Sequence, residues 1–264
     1  GGKTVYEADT NRMLFLDGAQ DTAAYAEARP MEATAGEKFE YSTATTIILS
    51  DIITRTLTNS SDPLVRRDVT LRFIRGRLLE PLGMDGTYPE FDPNGTFLGG
   101  SFIQATARDY ARFGEFLRHN GARKGAKHLP VSWVQFMKTS SDNDPAYGGH
   151  LWLNKRRPEG RNQVLFPDNG PETIFAALGH LGQQIVVSPE QKLTVVRLGK
   201  TQDDVLAPMS AQIGRIMALF PVGTKTRLST SVSVPGAVQI NCASPNAPSA
   251  FKSGVRVKTS SGLA

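Results

Sequence analysis

TIFAALGHLGQQIVVSPEQKLTVVRLG, residues 173–199, is the stretch on which the fold turns. Its apolar runs are short, rich in Val and Ile, and bounded by glycines, a pattern that reads as two or three strands in succession. Ser188-Pro189-Glu190-Gln191-Lys192 interrupts two of these runs and reads as a hairpin turn. A hairpin makes its flanking strands antiparallel neighbours, so the predicted sheet is antiparallel. The helix expected next, residues 203–220, turns Leu206, Met209, Ile213, Ile216 and Leu219 toward that sheet.

Upstream the period changes from two to about 3.6. Residues 10–28 read as a helix on the spacing of Met13, Leu14, Leu16, Ala23 and Ala24. Residues 43–58 read as a second, with Ile47, Ile48, Ile52 and Leu57 toward the core. Residues 63–80 read as a third. It opens at Pro63, carries Val65, Val69, Leu71, Ile74 and Leu78, and stops at Pro81-Leu82-Gly83-Met84. Thr106-Ala107-Arg108-Asp109 starts a helix running to His119, and 131–138 is a short helix after Pro130. Residues 147–154 read as a strand, followed by a polar loop at 155–172. Helices first and an antiparallel sheet with a packed helix at the end predict an α+β layout.

The net charge of +5 does not describe the body of the chain. Residues 222–264 contain Lys225, Arg227, Lys252, Arg256 and Lys258 and no acid. Without those five, the chain's 30 bases balance its 25 acids. The body is therefore neutral, and the basic Ser/Thr/Pro-rich tail reads as a separate segment from a domain at 1–221. No basic stripe with interleaved aromatics supports nucleic-acid binding. No apolar run approaches the ~18 residues of a membrane span. The one cysteine, Cys242, excludes an internal disulfide and a thiolate metal site, and the histidines have no metal-ligand spacing. No cofactor and no metal are expected. The chain opens on Gly-Gly rather than Met, which reads as a processed or truncated start.

GEKFEYST, residues 36–43, places Tyr-Ser-Thr directly before a helix. One reading makes Ser42 or Thr43 a helix cap and Tyr41 an amphipathic plug. The other makes Tyr41 a proton-carrying phenol, which a neighbouring ammonium would favour as phenolate. Four segments in order bear on the choice: GEKFEYST, LLEPLGMDGT, GGSFIQATARDYARFGEFL and LGHLGQQIVVSPEQKLTVVRLG. Together they resemble the serine β-lactamase and penicillin-binding-protein superfamily, in the branch of class C enzymes, esterases and 6-aminohexanoate-dimer hydrolase-like proteins.

The resemblance implies an antiparallel sheet flanked by helices with a mostly helical lobe beside it. It also implies acyl-enzyme chemistry on a small-molecule ester or amide. By position, Tyr41 matches the family's catalytic tyrosine. His180, Gly182 and Gln183 match the Lys/His-x-Gly strand motif on the oxyanion side, and a histidine there points to an esterase or amidase. The family's Ser-x-x-Lys does not precede Tyr41. The only Ser-x-x-Lys is Ser249-Ala250-Phe251-Lys252 in the tail, and VRVKTSSGLA after it is similar to the family segment that precedes the region where this chain begins. Either the chain is a fragment or degenerate homologue that binds without turnover, or its pieces are permuted and Ser249 and Lys252 are nucleophile and activator. A cell-wall peptidase of the same superfamily is a third reading.

Overall fold

The structure, a computed structural model, describes residues 5–222. Its first helices are α1 (Val5–Phe15) and α2 (Thr22–Glu27), where the sequence pattern suggested one. The break has a local cause. Gly18 turns back on Met13 and Tyr25 with no room for a Cβ, and the Asp21 carboxylate caps α2 by accepting the Ala24 N–H at 3.0 Å.

Helix α3 (Thr43–Leu57) and helix α4 (Pro63–Ile74) lie where expected, but their buried faces are not the expected ones. Ile47 is fully buried, whereas Ile52 is 51% exposed and Val65 is exposed. The inward faces are polar, formed by Ser50, Asp51 and Thr54 on α3 and Arg66 and Thr70 on α4. Arg66 donates to Asp51 Oδ1 at 2.7 Å, to Thr96 Oγ1 at 3.1 Å and to the Asn94 carbonyl at 2.9 Å, while the Thr54 and Thr70 hydroxyls lie 3.0 Å apart. Polar groups at such positions can be buried because each has a partner.

A π-helical turn (Arg75–Leu79) and the short α5 (Glu80–Leu82) continue α4 to the expected stop at Pro81-Leu82-Gly83-Met84. The widened turn precedes Pro81, which lacks an N–H for the α ladder. Gly83 then ends the run in the left-handed conformation at φ 61°. Strands β1 (Tyr88–Pro89) and β2 (Ile103–Gln104) make a small ribbon, and α6 (Ala107–Arg118) follows. Thr106 accepts the Asp109 N–H at 3.1 Å and donates its hydroxyl to Asp109 at 3.0 Å, which fixes the start of α6. A second ribbon, β3 (Ala122–Arg123) with β4 (Ala126–Lys127), leads to α7 (Val131–Met137).

The main sheet is the meander β5 (Trp152–Leu153), β6 (Phe175–Gly179), β7 (Gln183–Ser188) and β8 (Leu193–Arg197), antiparallel throughout and ordered as in the chain. The expected strand at 147–154 is reduced to two residues plus a bridge from Tyr147 to Trp152. Gly148–Leu151 turns back, with His150 at φ 61°. Register pairs Phe175 with Val187 and Ala176 with Val186, so alternate residues feed opposite faces. Leu153, Phe175 and Val187 join Phe116 and Leu117 of α6 in one core. Trp152, Ala176 and Val186 join a second, with Ile213 and Met217 of the closing helix α8 (Leu206–Ala218). Ile216 and Leu219, expected inward on α8, are exposed; Gly214 and Met217 hold the inner face, because Gly214 lets Phe166 close on the helix.

Helix α6 sits close to the sheet because Gly114 has no side chain. A Cβ there would lie 2.6 Å from Thr194 Cγ2 and 2.9 Å from Ile185 Cγ2. Gly114→Val is therefore expected to destabilise the fold by about 1–3 kcal/mol through overpacking, read as a lower urea midpoint. An unchanged midpoint would mean that the contact is slack.

Candidate active site

Tyr41 ends the connector before α3. Ser42 takes the N-cap position at φ −135°, yet its side chain accepts no helix N–H. The capping reading of this stretch therefore does not describe what Ser42 does. The helix start is also packed closely: Gly100 lies on Thr43, where a Cβ would meet Thr43 Cγ2 at 2.7 Å. Tyr41 stands against an aromatic wall. Its ring meets Tyr147 edge-on at 5.8 Å and Trp152 at 5.4 Å; Tyr147 meets Trp152 at 4.9 Å, and Phe39 closes on Tyr147 at 4.9 Å. Such edge and tilted contacts fix ring orientation beyond simple burial. Tyr41 remains 43% exposed, so the ring is held in place while part of it stays open to solvent.

Residues that the sequence did not single out support the wall. Asp144, fully buried, accepts Arg157 Nε at 2.9 Å and Nη2 at 2.6 Å, and Arg161 Nη1 at 3.2 Å. The Arg157 guanidinium lies 5.3 Å from the Trp152 ring centre, and that of Arg161 5.7 Å from Phe39. Arg157 also donates to the Asn162 carbonyl at 3.0 Å, which ties the 155–172 loop to the same carboxylate. Burying one acid between two arginines works because the charges are paired and hydrogen-bonded. Arginine-rich spacing in an otherwise polar loop was the available signal.

The Gly179-His180-Leu181-Gly182-Gln183 segment joins β6 to β7 through a tight turn. His180 and Gln183 are exposed there, and Gly182 is buried. Leu181 and Gly182 are both left-handed, at φ 57° and 80°, and a Cβ on Gly182 would press on Leu206 and Met209 at 2.9 Å. Glycine is required at 182 by backbone conformation and by close packing at once. Arg197, at the end of β8, donates to the Gly182 carbonyl at 3.1 Å and to Thr201 Oγ1 at 2.5 Å, and Thr201 N–H donates to the Leu181 carbonyl at 2.9 Å. A left-handed leucine held by such a clamp is the local strain often found where a backbone is shaped for function. β5, which carries Trp152 of the wall, pairs directly with β6, so the aromatic wall and the turn belong to neighbouring strands. Ser249 and Lys252 lie outside the described residues. Among the described residues no group of His, Cys, Asp or Glu is placed to hold a metal, and no helix is long and apolar enough to cross a membrane.

An antiparallel sheet covered by helices on both faces, beside a helical lobe whose first long helix is entered through a seated tyrosine, defines the α+β layout of the serine hydrolases described above. The family model described as Beta-lactamase matches residues 3–211, and the chain belongs to that family. A solved structure described as a 6-aminohexanoate-dimer hydrolase from Bacillus anthracis superposes with a TM-score of 0.58 at 21% identity, covering 84% of this chain and 58% of that one. A beta-lactamase from Mycobacterium bovis superposes at 0.54 with 18% identity, covering 71% of this chain and 66% of that one. The chain thus spans little more than half the length of the Bacillus anthracis protein. No curated protein matches it. At this identity the superpositions speak for the fold, and the family places the chain in a serine hydrolase superfamily.

Proposed function

We propose that this chain is a β-lactamase-related serine hydrolase acting on esters or amides through an acyl-enzyme. Residues 1–221 are read as a partial hydrolase domain and 222–264 as a basic tail or displaced N-terminal segment, whose Ser249 and Lys252 are the candidate nucleophile and activator. The observation that carries the reading is Tyr41: it occupies the family's tyrosine position and is held against the Tyr147–Trp152 wall at 5.8 and 5.4 Å. In this scheme Ser249 Oγ attacks the substrate carbonyl, and Lys252 and Tyr41 take the hydroxyl proton and deliver it to the leaving alcohol or amine. Backbone N–H groups of the His180–Gln183 turn face the developing oxyanion, with the Arg197 clamp keeping that turn rigid. Water then attacks the acyl-serine carbonyl, passes a proton back through the same groups, and releases the acid.

The test is hydrolysis of p-nitrophenyl esters and of linear amides by the full chain, with Ser249→Ala alongside. Turnover abolished by that change supports the reading, and turnover that survives it overturns the assignment of Ser249. One observation favours a second reading, a ligand-binding unit without turnover: among the described residues there is no Ser-x-x-Lys. Saturable binding of a substrate amide with no hydrolysis would select that reading.

A further inference from the structure

On the far side of the sheet from the Tyr41 wall, α6 and the β3–β4 ribbon flank an open cleft of about 430 Å³. Arg108 and Arg112 line it from α6, four residues apart and so on one helix face. Arg123 and Lys124 line it from the ribbon, and His119 and Glu115 complete it. The acids nearby are already engaged. Asp109, buried, pairs with Arg112 at 2.5 Å. Glu115 accepts two hydrogen bonds from Arg118, at 2.6 and 2.8 Å, and one from the Thr194 hydroxyl at 2.6 Å. The Arg118 guanidinium beside it holds the Glu115 carboxyl below its ordinary range, so Glu115 stays ionised and paired. His119 points Nδ1 at the Glu115 carbonyl, 2.8 Å away.

Arg108, Arg123 and Lys124 stand differently. Among the described residues none of the three has an acidic partner within 4.0 Å. Like charges that line one cleft repel one another, and an anion bound there would offset that cost. The backbone shows the same bias. Lys124 and Gly125 form the two-residue turn of the ribbon at φ 48° and 83°. Glycine, asparagine or aspartate suits the first position of such a turn. A lysine there is strained, and Lys124 is among the residues that line the cleft. Arg123 is seated over Gly83, where an added Cβ would come within 3.2 Å of its guanidinium.

We propose that this cleft binds a phosphoryl group, carried by a small phosphomonoester or by an anionic lipid headgroup. Arginine forks and a lysine point charge together suit a tetrahedral, multiply charged oxyanion better than a single carboxylate. The site lies across the sheet from Tyr41 and does not depend on the hydrolase reading.

The test uses the full chain, titrated calorimetrically with inorganic phosphate and phenyl phosphate, and co-sedimented with phosphatidylcholine vesicles with and without phosphatidic acid. Arg108→Gln/Arg123→Gln is expected to weaken binding by about tenfold or more. Lys124→Gly relieves the left-handed backbone, so it keeps the fold while lowering affinity in the same direction; Arg67→Gln on α4 leaves it unchanged. Phenyl phosphate binding would identify a soluble ligand. Binding to the acidic vesicles alone would identify a lipid headgroup, and either supports the proposal. No binding to any probe, or binding equal in the wild type and in Lys124→Gly, overturns it.

Discussion

Arg66→Leu is expected to lower the free energy of unfolding by about 3–5 kcal/mol, the range for removing one member of a buried ion pair. Asp51 is nearly fully buried and Arg66 lies at 2.7 Å from it, with Thr96 sharing the same guanidinium nitrogen and the Asn94 carbonyl accepting from Nε. Without Arg66 the Asp51 carboxylate keeps only Arg55, at 2.5 Å from its other oxygen and largely in solvent. The Asn94 carbonyl loses its guanidinium donor as well. The loop that contains Asn94 is also tied to α2, because Asp92 accepts the Thr22 N–H at 3.0 Å and its hydroxyl at 2.7 Å. The damage should therefore spread through the helical lobe. A second variant, Asp51→Leu/Arg66→Leu, should recover part of the loss, since it leaves no unpaired charge behind. Urea unfolding reads both. A double variant no better than the single one would mean that the carboxylate was not the source of the cost.

Tyr41→Phe is expected to reduce ester or amide turnover by about 10²–10⁴-fold, the usual range for a positioned proton-transfer group. The ring contacts with Tyr147 and Trp152 do not use the phenol oxygen, so the aromatic wall should stay assembled and the fold should survive the change. That combination separates a proton-carrying phenol from an amphipathic plug. A plug would lose little activity as phenylalanine, and Tyr41→Ala would then cost only packing. Measured together, turnover and urea midpoint decide between the two roles: a loss of turnover with a steady midpoint supports the phenol, and unchanged turnover removes it from the mechanism.

How much of this was readable beforehand depends on how far apart the interacting residues lie in the chain. The β6–β7–β8 meander was legible because its signals are local: Val and Ile runs, and a five-residue turn that the structure closes with the Lys192 N–H on the Pro189 carbonyl at 3.2 Å. The start of α6 was legible for the same reason, since Thr106 and Asp109 cap each other three residues apart. The inner face of α3 was not. Isoleucine spacing pointed to Ile52, but Asp51 finds its partner 15 residues later in Arg66, and no periodicity reports such a pairing. The face of α8 was legible at Met209 and Ile213 but not at its end, where Met217 rather than Ile216 is buried and where Gly214, silent in any hydrophobic count, lets Phe166 pack.

The candidate site shows the same division. GEKFEYST announced Tyr41, but the Gly179–Gln183 segment, expected on a strand, is a tight turn between β6 and β7. The Asp144–Arg157–Arg161 support was hidden, because it joins a loop acid to arginines 13 and 17 residues away. The Arg197 clamp was hidden too: a single arginine after Val195 and Val196 reads as an edge residue until the Leu181-Gly182 turn is folded beneath it.

The most direct test of the hydrolase account is to incubate the purified full chain with a fluorophosphonate that labels activated serines, then measure intact mass and map the modified peptide. The account predicts one adduct, on Ser249, lost in Tyr41→Phe. No adduct on any serine would contradict it and leave Tyr41 as part of a binding wall without a nucleophile.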